Sequence, residues 1–290
     1  PWYAAADRRA DPPDSTMSVK NLIGMLMVFL LVGCSSIPQN STKVPPPQTA
    51  PADSASMWRP QPLDSFQIQF SGEIDTTMKA DVFDLDAFDT PKETVERLQR
   101  QGSKVICYID AGTVEDWRPD VASFPPEVIG KVDAGWPGEN WLDIRALDVL
   151  LPILEARVEL CASKGFDGVE FDNLDGYQND TGFDMTAADQ LAFNRALADL
   201  AHEHGLAAGL KNDPEQIAEL EPWFDFVILE SCFEQGWCEL AAPFIQAGKA
   251  VFDIEYTTIS IYCYDASEQM ITLVQKRLQL DAKITTCTAK

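Results

Sequence analysis

The chain has 290 residues, with 46 acidic against 22 basic side chains and a formal net charge of −24. Phosphate backbones are held by clusters of Lys and Arg, and none is visible, which argues against nucleic acid as a partner. Only two His occur, and there is no G-x-S-x-G, no G-x-x-x-x-G-K-[ST] and no glycine fingerprint after a strand, so triad hydrolysis and nucleotide binding lack support.

Residues 1–16 read as an upstream extension before an initiator Met17. The segment MSVKNLIGMLMVFLLVGC then carries one Lys, an apolar run from Leu22 to Val32, and Gly33-Cys34. The run is shorter than the roughly 20 residues a spanning helix needs and suits a signal-peptide core. Its ending, LVGC, resembles the lipobox of bacterial lipoproteins. The resemblance implies lipidation of Cys34 and a cell-envelope location, expected at the outer membrane, with the membrane as a partner through the anchor and secretion as the alternative. Residues 35–57 are rich in Pro, Ser and Thr without apolar periodicity and read as a disordered tether. The remainder, 58–290, suits one (β/α)8 barrel of the TIM type, whose usual length is about 250 residues.

Short β-rich runs alternate with amphipathic stretches through this remainder. Strands are predicted at 66–70, 82–86, 104–110, 168–173, 207–212, 226–231 and 249–255, with an eighth near 279–286. Helices are predicted at 91–101, 146–163, 187–204, 214–221, 239–247 and 266–277. Side chains in a strand alternate faces, and four strands have one apolar and one polar face. The polar sets are Gln67 and Gln69, Asp84 and Asp86, Glu170 and Asp172, and Asp253 and Glu255. If the apolar faces pack on the helices, the polar ones line the lumen. An open doubly wound sheet explains this pattern less well.

Asp172 ends the fourth strand and Glu230 the sixth, at the barrel end where active sites form. Alternate strand ends approach across the mouth closely enough for two carboxylates to flank a glycosidic bond. Either acid alone could equally be a cap or an ion-pair member; their shared parity favours catalysis. Lys211 on the neighbouring strand should keep Asp172 ionised, whereas FVIL before Glu230 predicts a less polar setting there. The long segment 111–145 brings Trp117, Trp136 and Trp141, able to stack on sugars, although at least one of them is expected to pack the loop onto the barrel. Asp110, Asp143 and Arg145 flank the same rim. The loop DNLDGYQNDTGFD departs from the calcium-loop pattern, so no metal and no cofactor is expected. His202 and His204, two apart near a helix end, read as solvated. Six Cys follow Cys34, and Cys232 with Cys238 is the expected local disulfide.

The segments VICYIDAGTVEDWRPD, GWPGENWLDIR, KGFDGVEFDNLDGY, GLAAGLKND and the run from FVILESCFEQGWC through GKAVFDIEY resemble glycoside hydrolase family 114, whose characterised members are endo-α-1,4-polygalactosaminidases with a TIM-barrel fold. The resemblance spans roughly residues 58–265. It departs from the family pattern at Phe166 and Phe171, where Cys and often Pro are expected. It implies Asp172 as nucleophile and Glu230 as acid/base in hydrolysis, with retention, of an α-1,4-linked polysaccharide containing galactosamine. Lys211, Asn173 and Asn212 are then expected to bind sugar hydroxyls. Asp84, Asp110, Tyr177 and Glu255 complete the subsites, and the acidic surface suits a cationic polymer. The alternatives are a lipid-anchored carbohydrate-binding barrel without catalysis and a hydrolase of another α-glycan. An acid buried in an ion pair with Lys211 or Arg145 would point to the binding barrel.

Overall fold

The computed structural model describes residues 57–287. The signal segment, Cys34 and the tether up to residue 56 lie outside the described residues. Eight parallel strands run in chain order around a curled sheet: β1 (Phe66–Gln69), β2 (Val82–Asp86), β3 (Lys104–Asp110), β4 (Gly168–Asp172), β5 (Ala207–Lys211), β6 (Phe226–Glu230), β7 (Ala250–Glu255) and β8 (Thr272–Gln275). Helices α1 (Lys92–Arg100), α2 (Leu147–Lys164) and α3 (Ala187–Glu203) cover the sheet, and α4 (Ile217–Leu220), α5 (Cys232–Gln235), α6 (Ala242–Gln246) and α7 (Cys263–Glu268) are short. The TIM-type barrel expected from the alternating pattern is therefore found. Among the described residues no backbone ladder joins β1 to β8. That seam is closed by Lys276 Nζ donating to Gln67 Oε1 at 2.9 Å and by the Phe70 and Ser71 N–H groups donating to Leu280 O.

Two apolar cores result. Outside the sheet, Phe83, Val105, Val169, Phe171 and Leu210 pack with Leu150, Leu154 and Val158 of α2 and Phe193 and Leu197 of α3. Inside it, Phe66, Ile68, Ile106, Phe226, Phe252 and Ile254 form a second cluster. Phe66 stacks on Phe252 with centroids 4.4 Å apart, a contact between non-adjacent strands that only the lumen allows. Gly209 makes room there, since a Cβ would lie 2.4 Å from the Phe226 ring.

This arrangement keeps the expected parity on β2 and β4 and reverses it on β1 and β7. No helix covers β1: loop backbone does, and Gln69 Nε2 donates to the carbonyls of Ser71 and Glu73. Outside β7 lies the start of α5, whose amide groups need acceptors. Asp253 Oδ1 accepts the Cys232 N–H, and Glu255 Oε1 accepts those of Phe233 and Glu234. An outward face is apolar only where it meets an apolar helix face.

The C-terminal elements also differ from expectation. In place of a helix over 266–277, α7 ends at a left-handed Met270 with φ 57°, and Thr272–Gln275 is the eighth barrel strand. The stretch predicted as that strand supplies only Thr285–Thr286, antiparallel to β8. The helix predicted at 239–247 divides into a 3-10 turn, Cys238–Ala241, and α6 with Pro243 in its first turn.

All six described Cys are paired, as Cys107–Cys161, the expected Cys232–Cys238, and Cys263–Cys287. His202 is not simply solvated: its Nε2 lies 2.8 Å from Asp225 Oδ2.

Candidate active site

Three neighbouring strands deliver the central side chains. Asp172 ends β4, Lys211 ends β5 and Glu230 ends β6. Each strand is followed by a non-glycine residue in the left-handed region: Asn173 (φ 60°), Asn212 (φ 49°) and Ser231 (φ 56°). These turns end the strands abruptly and leave the last inward side chain at the mouth. Residues held in this sparsely populated region cluster at functional sites.

Lys211 Nζ lies 3.0 Å from Asp172 Oδ1 and 3.0 Å from Glu230 Oε2. Those two oxygens are consequently no more than 6.0 Å apart, the sum of the two legs. The acids keep 20% and 28% side-chain exposure, against 7% for the lysine. Asp172 also accepts the Asn173 N–H at 2.8 Å and the Tyr108 hydroxyl at 3.0 Å. Burial pushes its pKa up, but the Lys211 charge and these hydrogen bonds outweigh that and hold it below the ordinary value. Burial likewise disfavours the Lys211 ammonium. Asp172, Glu230 and Glu170 more than compensate, so it stays charged.

Glu230 does not have the apolar setting expected from FVIL. Besides Lys211, it accepts a hydrogen bond from the Tyr256 hydroxyl, and its N–H donates to Asn212 Oδ1 at 2.9 Å. FVIL faces two ways, and the residues that surround Glu230 come from β5 and the end of β7.

The segment after β3 folds into an antiparallel sheet of three short strands, Thr113–Glu115, Glu139–Leu142 and Ile129–Val132. It packs hard against β4: a Cβ on Gly112 would sit 1.7 Å from the Asn173 carbonyl oxygen. Asp110 Oδ1 accepts from the Thr113 N–H at 3.0 Å and from Asn173 Nδ2 at 3.1 Å, and the Thr113 hydroxyl lies 3.2 Å from Glu139 Oε2. Burial, with Glu115 and Asp172 nearby, pushes Asp110 up to about 8. Burial and Asp110 push Glu139 up to about 9. Both acids hold their protons well above the ordinary range; Asp110 fixes the side chain of Asn173, whose backbone N–H holds Asp172, and Glu139 fixes Thr113.

The other expected residues divide into groups. Asn173 and Asn212 use their side chains within the site, on Asp110 and on the Glu230 backbone. Tyr177 donates to Glu215 Oε2 at 3.2 Å. Burial and Asp213 raise its pKa to about 12. Asp213 itself, with Asp175 and Glu215 beside it, is pushed up to about 8, mainly by burial. Trp117 is half-buried, whereas Trp141 is a core residue, 5% exposed, packed under the loop after β4. Trp136 stands 52% exposed. Asp143 and Arg145 form a two-pronged pair, and Arg145 also reaches the Asp184 carbonyl. Asp84 is fully buried below the mouth, and Glu255 lies on the outer face; the structure places neither on the subsite floor. Tyr108, Tyr256, Thr113, Glu139 and Asp213 were not expected in the site. Tyr108 shares the parity of Asp110 and could have been read from it; Tyr256 lies one residue past its strand, where alternation stops guiding.

With this geometry in hand, the relatives are informative. The structure of Ega3 from Aspergillus fumigatus in complex with galactosamine is 34% identical, with a TM-score of 0.76, covering 83% of this chain and 99% of that one. The glycoside hydrolase domain of PelA from Pseudomonas aeruginosa shares the fold at 17% identity, with a TM-score of 0.63 and coverage of 77% and 98%. A protein of Deinococcus radiodurans described as uncharacterised is 26% identical over 292 residues, 87% of this chain and 92% of its own. The family profile of GH114 matches residues 47–290, which include both acids, the bridging lysine and every barrel strand, so the chain belongs to glycoside hydrolase family GH114 and is a glycoside hydrolase.

Proposed function

We propose that the protein is an endo-hydrolase of α-1,4-linked polysaccharide containing galactosamine, with Asp172 as nucleophile and Glu230 as acid/base. The observation that carries the reading is the single ammonium of Lys211 shared by both acids, which bounds their nearest oxygens at 6.0 Å. Inverting enzymes separate their carboxyl groups by about 6.5–9.5 Å to admit a water, and retaining ones by about 5–5.5 Å. The bound is compatible with the retaining separation. Asp172 attacks the anomeric carbon while Glu230 protonates the departing oxygen; water then attacks the ester, giving its proton back to Glu230 as the bond to Asp172 breaks.

Glu215, exposed, stands beside Tyr177 at 3.2 Å from its hydroxyl. This side chain and the net charge of −24 suit an amino sugar carrying free ammonium groups, and Ega3 was captured with galactosamine. A binding barrel without catalysis has one observation in its favour, the ion pairs of Lys211. Neither acid is closed off by them, and substrate can reach both. The protein would work from the cell envelope, held by acylated Cys34, or be secreted.

The test is incubation with deacetylated α-1,4-galactosaminan and its N-acetylated counterpart, following chain length and the anomeric configuration of the new ends by proton NMR. Internal cleavage giving α-configured ends is expected. A folded enzyme that cuts neither polymer refutes the substrate, and β-configured ends refute the covalent route.

A further inference from the structure

Below Lys211 in the lumen, Asp84 of β2 and Glu170 of β4 meet carboxyl to carboxyl. Both side chains are completely buried, and Asp84 raises the cost of charging Glu170. No donor among the described residues reaches any of their four oxygens, so a proton held between them is the one way they can bond. Lys211 Nζ stands above them, 3.9 Å from Glu170 Oε1, close enough for charge but too far for a hydrogen bond.

Two ionised carboxyls have only acceptors, so a hydrogen bond between them requires a proton. Two like charges in a dry lumen also repel strongly, which keeps at least one of them protonated. If both were protonated they could bond as an acid dimer, but the buried ammonium of Lys211, 3.9 Å from Glu170 Oε1, would lose the anion beneath it. One acid and one carboxylate keep both a bond within the pair and a charge under Lys211.

We propose that Asp84 and Glu170 are positioning residues, a carboxylic acid and a carboxylate sharing one proton, whose single charge holds the Lys211 ammonium level with Asp172 and Glu230. The inference rests on the reading of those two acids as the catalytic pair. Its use lies in the second half of the reaction. When Asp172 becomes an ester its charge disappears, and Lys211 loses one of its two close anions. The pair below keeps its charge, so Lys211 stays in place while Glu230 turns from acid to base. Burial raises the pKa of Asp84 to about 7 and holds that of Glu170 well above the ordinary carboxyl value, in keeping with a retained proton.

Amide variants separate charge from shape. Glu170→Gln and Asp84→Asn each replace the shared proton by an amide N–H and leave one charged carboxylate, whereas the double variant leaves none. Infrared difference spectra of the unliganded enzyme at neutral pH, wild type minus Glu170→Gln and wild type minus Asp84→Asn, should each show the loss of one protonated-carboxyl component over the background from Asp110, Glu139 and Asp213. Each single variant should keep kcat within about fivefold, the scale of one exchanged hydrogen bond. The double variant should lose on the order of a hundredfold in kcat, as a displacement of about 1 Å in a positioning group does, with KM little changed. Absence of that component from both difference spectra overturns the shared proton. A single variant as damaged as the double, or a folded double variant as active as the singles, overturns the charge-holding role. The spectra need neither substrate nor the double variant, so they decide the shared proton even if that variant does not fold. An active Asp172→Asn enzyme would instead remove the catalytic reading alone.

Discussion

Asp172 and Glu230 close on one ammonium, that of Lys211, each with an oxygen 3.0 Å from it. Glu230→Gln should fold normally and lose about 10²–10⁴-fold in kcat, the usual worth of a positioned general acid. Asp172→Asn should fall to background. With a substrate bearing an activated leaving group, azide should restore turnover in Glu230→Ala by attacking the glycosyl-enzyme, with retention. In Asp172→Ala it should attack the sugar directly and give the opposite anomer. Near-normal activity in both amide variants would remove the assignment.

Asn212 should act on Glu230 without touching sugar. Asn212→Gly keeps the left-handed turn and deletes the 2.9 Å hydrogen bond to the Glu230 N–H. It should lower kcat while leaving KM and the melting temperature nearly unchanged. Asn212→Val adds backbone strain of roughly 1–3 kcal/mol and should melt measurably lower. A KM effect alone in the glycine variant would make Asn212 a sugar ligand.

Asp110 links the site to pH. Its pKa is raised from an ordinary 3.8 to about 8, so between those values the folded state holds a proton that the unfolded chain has released. Its contribution is complete below the lower value and declines as pH rises through the upper one, by up to about 1.4 kcal/mol per pH unit per proton. Asp110→Asn imitates the neutral acid, its amide donating to Thr113. The variant should fold at neutral pH and show a flatter decline in stability between pH 4 and 8 in denaturant titrations. An unchanged slope would mean that Asp110 is ionised in the native protein.

The disulfides should rank by the loops they close. Cys107–Cys161 spans 54 residues and Cys232–Cys238 spans 6. By loop entropy, removing the first with paired Ala substitutions costs about 4 kcal/mol and removing the second about 2 kcal/mol. The second should nevertheless affect kcat more, because Cys232 opens the turn that follows Glu230. Equal losses of activity in the two variants would contradict this division.

Labelled fatty acid should enter the protein in a bacterial host while Cys34 is present and not in Cys34→Ala. Acylation that persists in the variant would refute the anchor.

Most of the barrel was legible because seven strands carry either strict alternation or a short apolar run. The acids at the ends of β4 and β6 stood out for the same reason. Parity failed on β1 and β7 for a physical cause: alternation reports that two faces differ, and which face is polar depends on what covers the outside. Glu255 was misplaced by that ambiguity. The eighth strand, TLVQ, is too short to announce itself beside a helical pattern, and its identity is settled by pairing with β7. Charge states were the least legible, since Asp84, Asp110 and Asp172 have the same side chain and differ only in their neighbours.

The joint between β1 and β8 gives the cylinder a preferred place to open. Seven of its eight contacts are backbone ladders, and the eighth depends on a few side-chain and loop bonds around Lys276 and Leu280. Amides bordering this joint should exchange with deuterium sooner than those of β3 to β6, as expected where opening needs little of the core to separate. Because the joint lies one strand beyond β7, such breathing would loosen the wall on the Tyr256 side while Asp172, Lys211 and Glu230, on laddered strands, keep their geometry.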